Sequence, residues 1–281
     1  MRLLPFAIAL LASSAPALAQ DAVFDLHVHL HKGEVSIEDY EAQLKAAGIS
    51  VTGFGAMWFG GPHQAPAGQV AQTRASNDAL IAIAATRPGM LPIATVHPYD
   101  GADAIAELER VAGRGVKILK IHPHTQRFDA ADPRVLTLAK RAGELGVVVM
   151  MDNASIVPDD NEKLFNLALA APRTKFLFAH MGGLSFRFWN ILALARTAEN
   201  LFGDNIYFDI SAVANIAADS PIENELVWTI RNVGVDNVLF GSDYPQLTVP
   251  ATLAALDKLG LSAEEKAKIR YGNAKRLLGL K

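Results

Sequence analysis

Eight short apolar runs of strand length punctuate the chain. They lie at 23–30 (VFDLHVHL), 51–59 (VTGFGAMWF), 90–98 (MLPIATVHP), 116–124 (VKILKIHPH), 146–153 (GVVVMMDN), 175–182 (KFLFAHMG), 205–212 (NIYFDISA) and 237–245 (NVLFGSDYP). Their near-continuous apolarity, in place of in-and-out alternation, is the pattern of parallel strands buried on both faces. Helical periodicity fills the intervals and carries its own punctuation. Ser36 with Asp39 reads as a capping box, Asp132 as a cap before Pro133, and Ser262 with Glu265 as a second box. A helix near 250–259 precedes the last helical stretch, SAEEKAKIRYGNAKRLLGL, whose leucine face is expected on the outside of the sheet. Eight strand–helix alternations with right-handed crossovers predict an α/β fold, a (β/α)8 TIM barrel. A doubly wound open sheet gives the same local pattern, but residues 20–281 match the roughly 250 residues of a barrel, so one domain is expected there.

Residues 1–19 differ in kind. A single Arg2, an apolar run over 3–12 and Ala17-Leu18-Ala19 before Gln20 form a signal-peptide pattern. The mature chain is therefore expected to be exported, to the periplasm or beyond. No segment reaches the roughly 20 apolar residues of a spanning helix, so no membrane span is expected. The chain has no cysteine, which excludes disulfides, thiolate nucleophiles and sulfur-ligated metals. Its 26 basic and 29 acidic residues are interspersed without a basic cluster, which argues against a nucleic-acid partner. A small-molecule substrate is expected, and a homo-oligomer stays open.

Candidate chemistry enters with the eight histidines. Seven fall at or just after the ends of expected strands and none in an expected helix. In a parallel barrel those ends share the face where active sites are built. His27 and His29, two apart on a strand, point to one side and can grip one cation; a hydrogen-bonded core pair is the bland alternative. Asp243, in GSDYP, ends the strand that neighbours the first in a closed barrel, although Ser-Asp before a turn also suits a helix cap. His180 ends strand six. Lys120 shares the parity of His122 on strand four; a buried ammonium there needs a charge partner or a chemical modification. His31 reads as a rim residue, His97 as a weaker candidate, His63 as surface, and His124 follows Pro123 beyond strand four.

Together DLHVHL, GVKILKIHPH, FLFAHMGG, YFDISA, LFGSDYP and the terminal YGNAKRLLGL resemble the amidohydrolase-related family of metal-dependent hydrolases, from Asp25 to Leu280. The resemblance implies a distorted eight-stranded barrel with a divalent metal, usually zinc, at its mouth. It makes His27 and His29 first-strand ligands, Asp243 the eighth-strand ligand or base, and His180 a ligand or a catalytic acid/base. One departure stands out. The family commonly has a ligand histidine on strand five, where this chain reads Met150-Met151-Asp152-Asn153, so Asp152 is a candidate ligand or supporting group. Lys120 could correspond to the carboxylated lysine of two-metal relatives, but its depth favours a single metal.

Imidazole and carboxylate ligands suit zinc, with manganese, iron or nickel as alternatives. A metal-bound water, its pKa lowered from 15.7 to about 7, would attack an ester, lactone or amide. Asp243 would shuttle the proton while His180 or His122 steadies the developing oxyanion. Trp58, Arg127 and Arg187, with Phe59, Phe188 and Trp189, are expected near the mouth as substrate contacts. Two alternatives stand beside this hydrolase. One is a metal-dependent decarboxylase of an aromatic or muconate-type acid; the other is a non-catalytic exported metal- or ligand-binding barrel. The missing strand-five histidine, typical of the decarboxylases, favours hydrolysis.

Overall fold

Parallel strands form at all eight apolar runs in the computed structural model, which describes residues 22–60 and 63–280. The expected signal peptide lies outside these residues. The strands are β1 (Phe24–His29), β2 (Gly53–Met57), β3 (Met90–Thr95), β4 (Ile118–Ile121), β5 (Val148–Asp152), β6 (Phe176–Ala179), β7 (Ile206–Asp209) and β8 (Val238–Leu239). Each pairs with the next in sequence order. Closure comes from the last to the first: Leu26 N–H donates to Phe240 O at 3.1 Å, His29 N–H to Tyr244 O at 2.7 Å, and Tyr244 N–H to His27 O at 3.2 Å. The outcome is a TIM barrel, as the run count predicts.

Helices α1 (Val35–Ala47), α2 (Val70–Ala85), α3 (Ala102–Gly113), α4 (Pro123–Gln126), α5 (Pro133–Glu144) and α6 (Asp160–Ala170) follow the first five strands. The second half adds α7 (Ile191–Ala195), α8 (Val213–Ala217), α9 (Glu223–Val233), α10 (Val249–Lys258), α11 (Ala263–Ala267) and α12 (Asn273–Leu278). None of the described helices is long and apolar enough to cross a membrane. Asp132 caps α5 by accepting from Arg134 N–H, and Ser262 with Glu265 forms a complete box at α11. Ser36 does not cap α1. It lies inside the helix, because its hydroxyl is taken by Lys32 N–H at 2.8 Å.

Two apolar layers result. Strand residues such as Val28, Leu119 and Phe208 pack outward on helix residues such as Tyr40, Leu138 and Ile230. Inside, Leu26, Met57, Ile93, Met150 and Leu177 cluster with Ala274, Leu277 and Leu278 of α12. The last helix therefore contributes to the inner cluster, contrary to the outside position expected from its pattern. Burying two leucines there completes a core the short strands cannot fill alone. Along β1, Phe24 and Leu26 join the inner layer while Val28 and Leu30 join the outer one. The register shift that falls between Asp25 and Val28 accounts for the switch, and it turns His27 and His29 together toward the mouth.

Candidate metal centre

His27, His29 and Asp243 meet at that mouth. The two Nε2 atoms lie 3.1 Å apart, and each is 3.4 Å from Asp243 Oδ1. The other face of each imidazole decides what this contact means. His27 Nδ1 sits 3.0 Å from the Asp209 carboxylate and His29 Nδ1 2.5 Å from the carbonyl of Phe59. Both partners can only accept, so both Nδ1 atoms donate, leaving neutral rings with two Nε2 lone pairs aimed at each other and at a carboxylate oxygen. Burial and the charge of Lys120, which outweigh the carboxylates, hold His27 neutral by lowering its pKa to about 4. Three negative or lone-pair donors thus converge without a proton between them, a set that fits a divalent ion.

The surrounding chain holds this triangle tightly. Asp25, fully buried on β1, accepts from Ser242 N–H (2.8 Å), Ser242 Oγ–H (2.6 Å), Tyr40 O–H (3.0 Å) and His27 N–H (3.2 Å). That carboxylate fastens the residue beside Asp243 to the strand that carries the histidines. Its pKa is raised to about 6, because burial outweighs the hydrogen bonds it accepts. Gly241 is needed for the close approach, since a Cβ there would stand 2.8 Å from His27 Cβ. Gly60 is needed likewise: its φ is +99°, and a Cβ would lie 2.8 Å from His29 Nδ1. Asp243 and His180 both have φ of +62°, a left-handed conformation that costs on the order of 1–3 kcal/mol in a non-glycine residue.

His180 stands beside the triangle rather than in it. Its Nε2 faces Asp152 Oδ1 at 3.2 Å, while Nδ1 faces the Ser211 carbonyl at 3.3 Å and the Ser211 hydroxyl at 2.9 Å. The hydroxyl gives its hydrogen to Asp209. Both ring nitrogens must then donate, which makes His180 an imidazolium. Burial opposes that charge, but the Asp152 hydrogen bond and the charges of Asp209, Asp152 and Asp243 overcome it, raising the pKa to about 9. His27, His180 and Asp209 also lie close enough to chelate, yet the His27–Asp209 contact within that group already holds a proton.

Asp152 does not reach toward the triangle. Its Oδ1 accepts from His180 and from His122 Nε2 at 3.3 Å. His122 takes Thr125 N–H on Nδ1 at 3.2 Å and is a neutral donor, its pKa lowered to about 3 by burial. Against burial, the His180 hydrogen bond, the neighbouring His122, and the charges of His180 and Lys120 hold the Asp152 carboxyl well below the usual carboxylate range. Lys120 is 1% exposed at the barrel floor and makes no ion pair among the described residues. Burial lowers its pKa, while Asp152, Asp209 and Asp243 act on it through space.

These groups line a cleft of about 480 Å³, together with Phe59, His124 and Gln246. Trp58, Arg127 and Arg187 are not in it. Trp58 borders a neighbouring hollow with His63, Arg127 a shallow one with His124 and Lys163, and Arg187 is exposed and paired with Glu225. Trp189 is core, stacked on Phe178; Phe188 packs edge-on against Trp189 and Phe165. His97 is a satisfied structural residue, bonded to Gln126 O and Tyr99 N–H, and His124 lies within the short α4. The sequence reading missed Asp209 and Ser211. Its available signal was an aspartate in the apolar run IYFDI, which burial obliges to find a partner.

The fold is a TIM barrel, and at its mouth His27, His29 and Asp243 form a donor set that fits one divalent ion. The amidohydrolase family model matches residues 24–280, and the chain belongs to that family. Among solved structures, it is similar to 5-carboxyvanillate decarboxylase from Sphingomonas paucimobilis, at 17% identity and TM-score 0.71, covering 92% of this chain and 99% of that one. It is also similar to 2,6-dihydroxybenzoate decarboxylase from Rhizobium, at 19% identity and TM-score 0.69, covering 92% and 98%. A dihydroxybenzoic acid decarboxylase from Polaromonas sp. JS666, with bound manganese and 2-nitroresorcinol, matches at 16% identity and TM-score 0.65, covering 92% and 97%. No curated protein matches the chain in sequence. Family and neighbours support a metal-dependent enzyme. The hydrolase expectation is corrected by them, because these neighbours are mostly 5-carboxyvanillate and dihydroxybenzoate decarboxylases. The absent strand-five histidine was a poor guide to reaction type, since Asp152 in its place serves His122 and His180.

Proposed function

We propose that the protein is a metal-dependent decarboxylase of aromatic carboxylic acids. The observation that carries this reading is His180, a donor on both nitrogens, at the floor of the cleft beside His27, His29 and Asp243. Decarboxylation exchanges a carboxyl group for a proton, so it needs an acid poised over a carbon atom.

His27 Nε2, His29 Nε2 and Asp243 Oδ1 would hold one divalent ion. Manganese is present in three of the decarboxylase structures, and the two-imidazole, one-carboxylate set suits it as well as zinc. When bound, the ion supplies positive charge that fixes an anionic acid in the cleft. The residues do the rest. Asp209 and the Phe59 carbonyl keep the two imidazoles oriented. As the bond between ring carbon and carboxyl carbon breaks, its electron pair stays on the ring carbon and carbon dioxide leaves. The His180 Nε2 proton, held by Asp152 in the resting site, then passes to that carbon, while Nδ1–H, donating to the Ser211 carbonyl, keeps the ring in place through the transfer.

Metal-loaded protein given 2,6-dihydroxybenzoate, 5-carboxyvanillate and related acids is expected to release one carbon dioxide per acid consumed. A protein that binds the ion yet releases none from the whole panel would be a non-catalytic binding barrel, and the proposal would fall.

A further inference from the structure

The cleft is not evenly lined. Ile156 after β5, Leu184 after β6 and Ile216 in α8 after β7 all border it, and they are 68%, 60% and 51% exposed. Among the described residues only seven large hydrophobic side chains are exposed to a comparable degree, and these three fall on one arc of one cleft. Val213 and Ala212 continue the same wall. The loops after β2, β4 and β8 contribute Gln64, His124, Thr125 and Gln246, and Ser155 and Ser185 stand beside Ile156 and Leu184. Three loops from consecutive strands thus supply an unpaired apolar surface that faces the reaction site.

Size points the same way. A cavity of about 150 Å³ holds a benzene ring, whereas this cleft offers about 480 Å³. A bare hydroxybenzoate with its carboxyl at the floor leaves the outer part of the cleft, and the apolar arc, uncovered. Exposed branched aliphatics gain when a ligand removes them from water.

We propose that the acid turned over here carries an apolar substituent, alkyl or aryl, on the side of the ring remote from the carboxyl, seated against Ile156, Leu184 and Ile216. This rests on the decarboxylase reading for the placement of the carboxyl. The substituent would be recognised by area alone, its length selected by the apolar arc, while Gln64, His124, Thr125 and Gln246 would offer hydrogen bonds to the ring's hydroxyls.

The test uses the protein loaded with manganese and titrated calorimetrically with 2,6-dihydroxybenzoate and its 4-propyl and 4-phenyl derivatives, with carbon dioxide release followed in parallel. The substituted acids are expected to bind about tenfold more tightly than the parent. Leu184→Ser and Ile216→Ser, both exposed and harmless to the core, are expected to erase most of that difference. Equal affinity along the series, or a difference that both variants retain, overturns the proposal. So does a dimer that Leu184→Ser dissociates, because a second copy would then cover the arc. Carbon dioxide release with flat affinities removes this inference and leaves the decarboxylase; graded affinities without carbon dioxide remove the decarboxylase and leave the apolar wall. No binding by any acid removes both.

Discussion

His27→Ala protein is expected to lose the metal and the activity together. One of the three converging donors disappears. Bound manganese should fall from one equivalent to under about a tenth after dialysis, and turnover by at least about 10³-fold, since the charge that steadies the anion goes with the ion. Circular dichroism should be unchanged, because the side chain packs at the mouth and the inner cluster does not include it. Asp209→Asn is a graded version of the same experiment. It keeps the ligand but weakens the partner of His27 Nδ1, so metal affinity should drop by about 10–100-fold. Full metal occupancy in the alanine variant would show that the ion is held elsewhere.

His180→Gln is expected to separate the two functions that His27→Ala removes together. The ring lies outside the three-donor triangle, so metal content should stay at one equivalent. Glutamine can still donate to Asp152, but it carries no transferable proton at neutral pH. Turnover should fall by about 10²–10⁴-fold, the usual contribution of a positioned acid, and the loss should sit in kcat rather than KM. An equal loss of metal would instead make His180 a ligand, as one reading of the sequence allowed. Retention of turnover would leave the proton source unassigned and count against the mechanism.

The barrel was legible because parallel strands covered on both faces must be apolar throughout, and eight such runs stand out against amphipathic helices. His27, His29 and Asp243 were legible for a related reason: two-residue spacing fixes side on a strand, and barrel closure makes the eighth strand a neighbour of the first. What lay hidden depends on contacts far apart in sequence. Asp209 finds His27 from across the barrel, and nothing in IYFDI says which buried group will meet that carboxylate. Asp152 looked like a replacement ligand, yet its direction follows from where His122 and His180 stand. Trp58, Arg127 and Arg187 were placed near the mouth because they follow strand ends, but loop paths, unlike strand parity, are not written in residue spacing. Ile156, Leu184 and Ile216 escaped notice because a lone aliphatic in a loop looks the same whether it packs inward or borders a cleft.

The central claim is that one divalent ion is held by His27 Nε2, His29 Nε2 and Asp243 Oδ1. Anomalous diffraction from crystals of manganese-loaded protein, collected on both sides of the manganese edge, tests it most directly. One peak is expected, within about 2.0–2.3 Å of those three atoms and beyond bonding distance of His180 and Asp152. A peak ligated by His180 and Asp209, or no peak in protein that still releases carbon dioxide, would contradict the account.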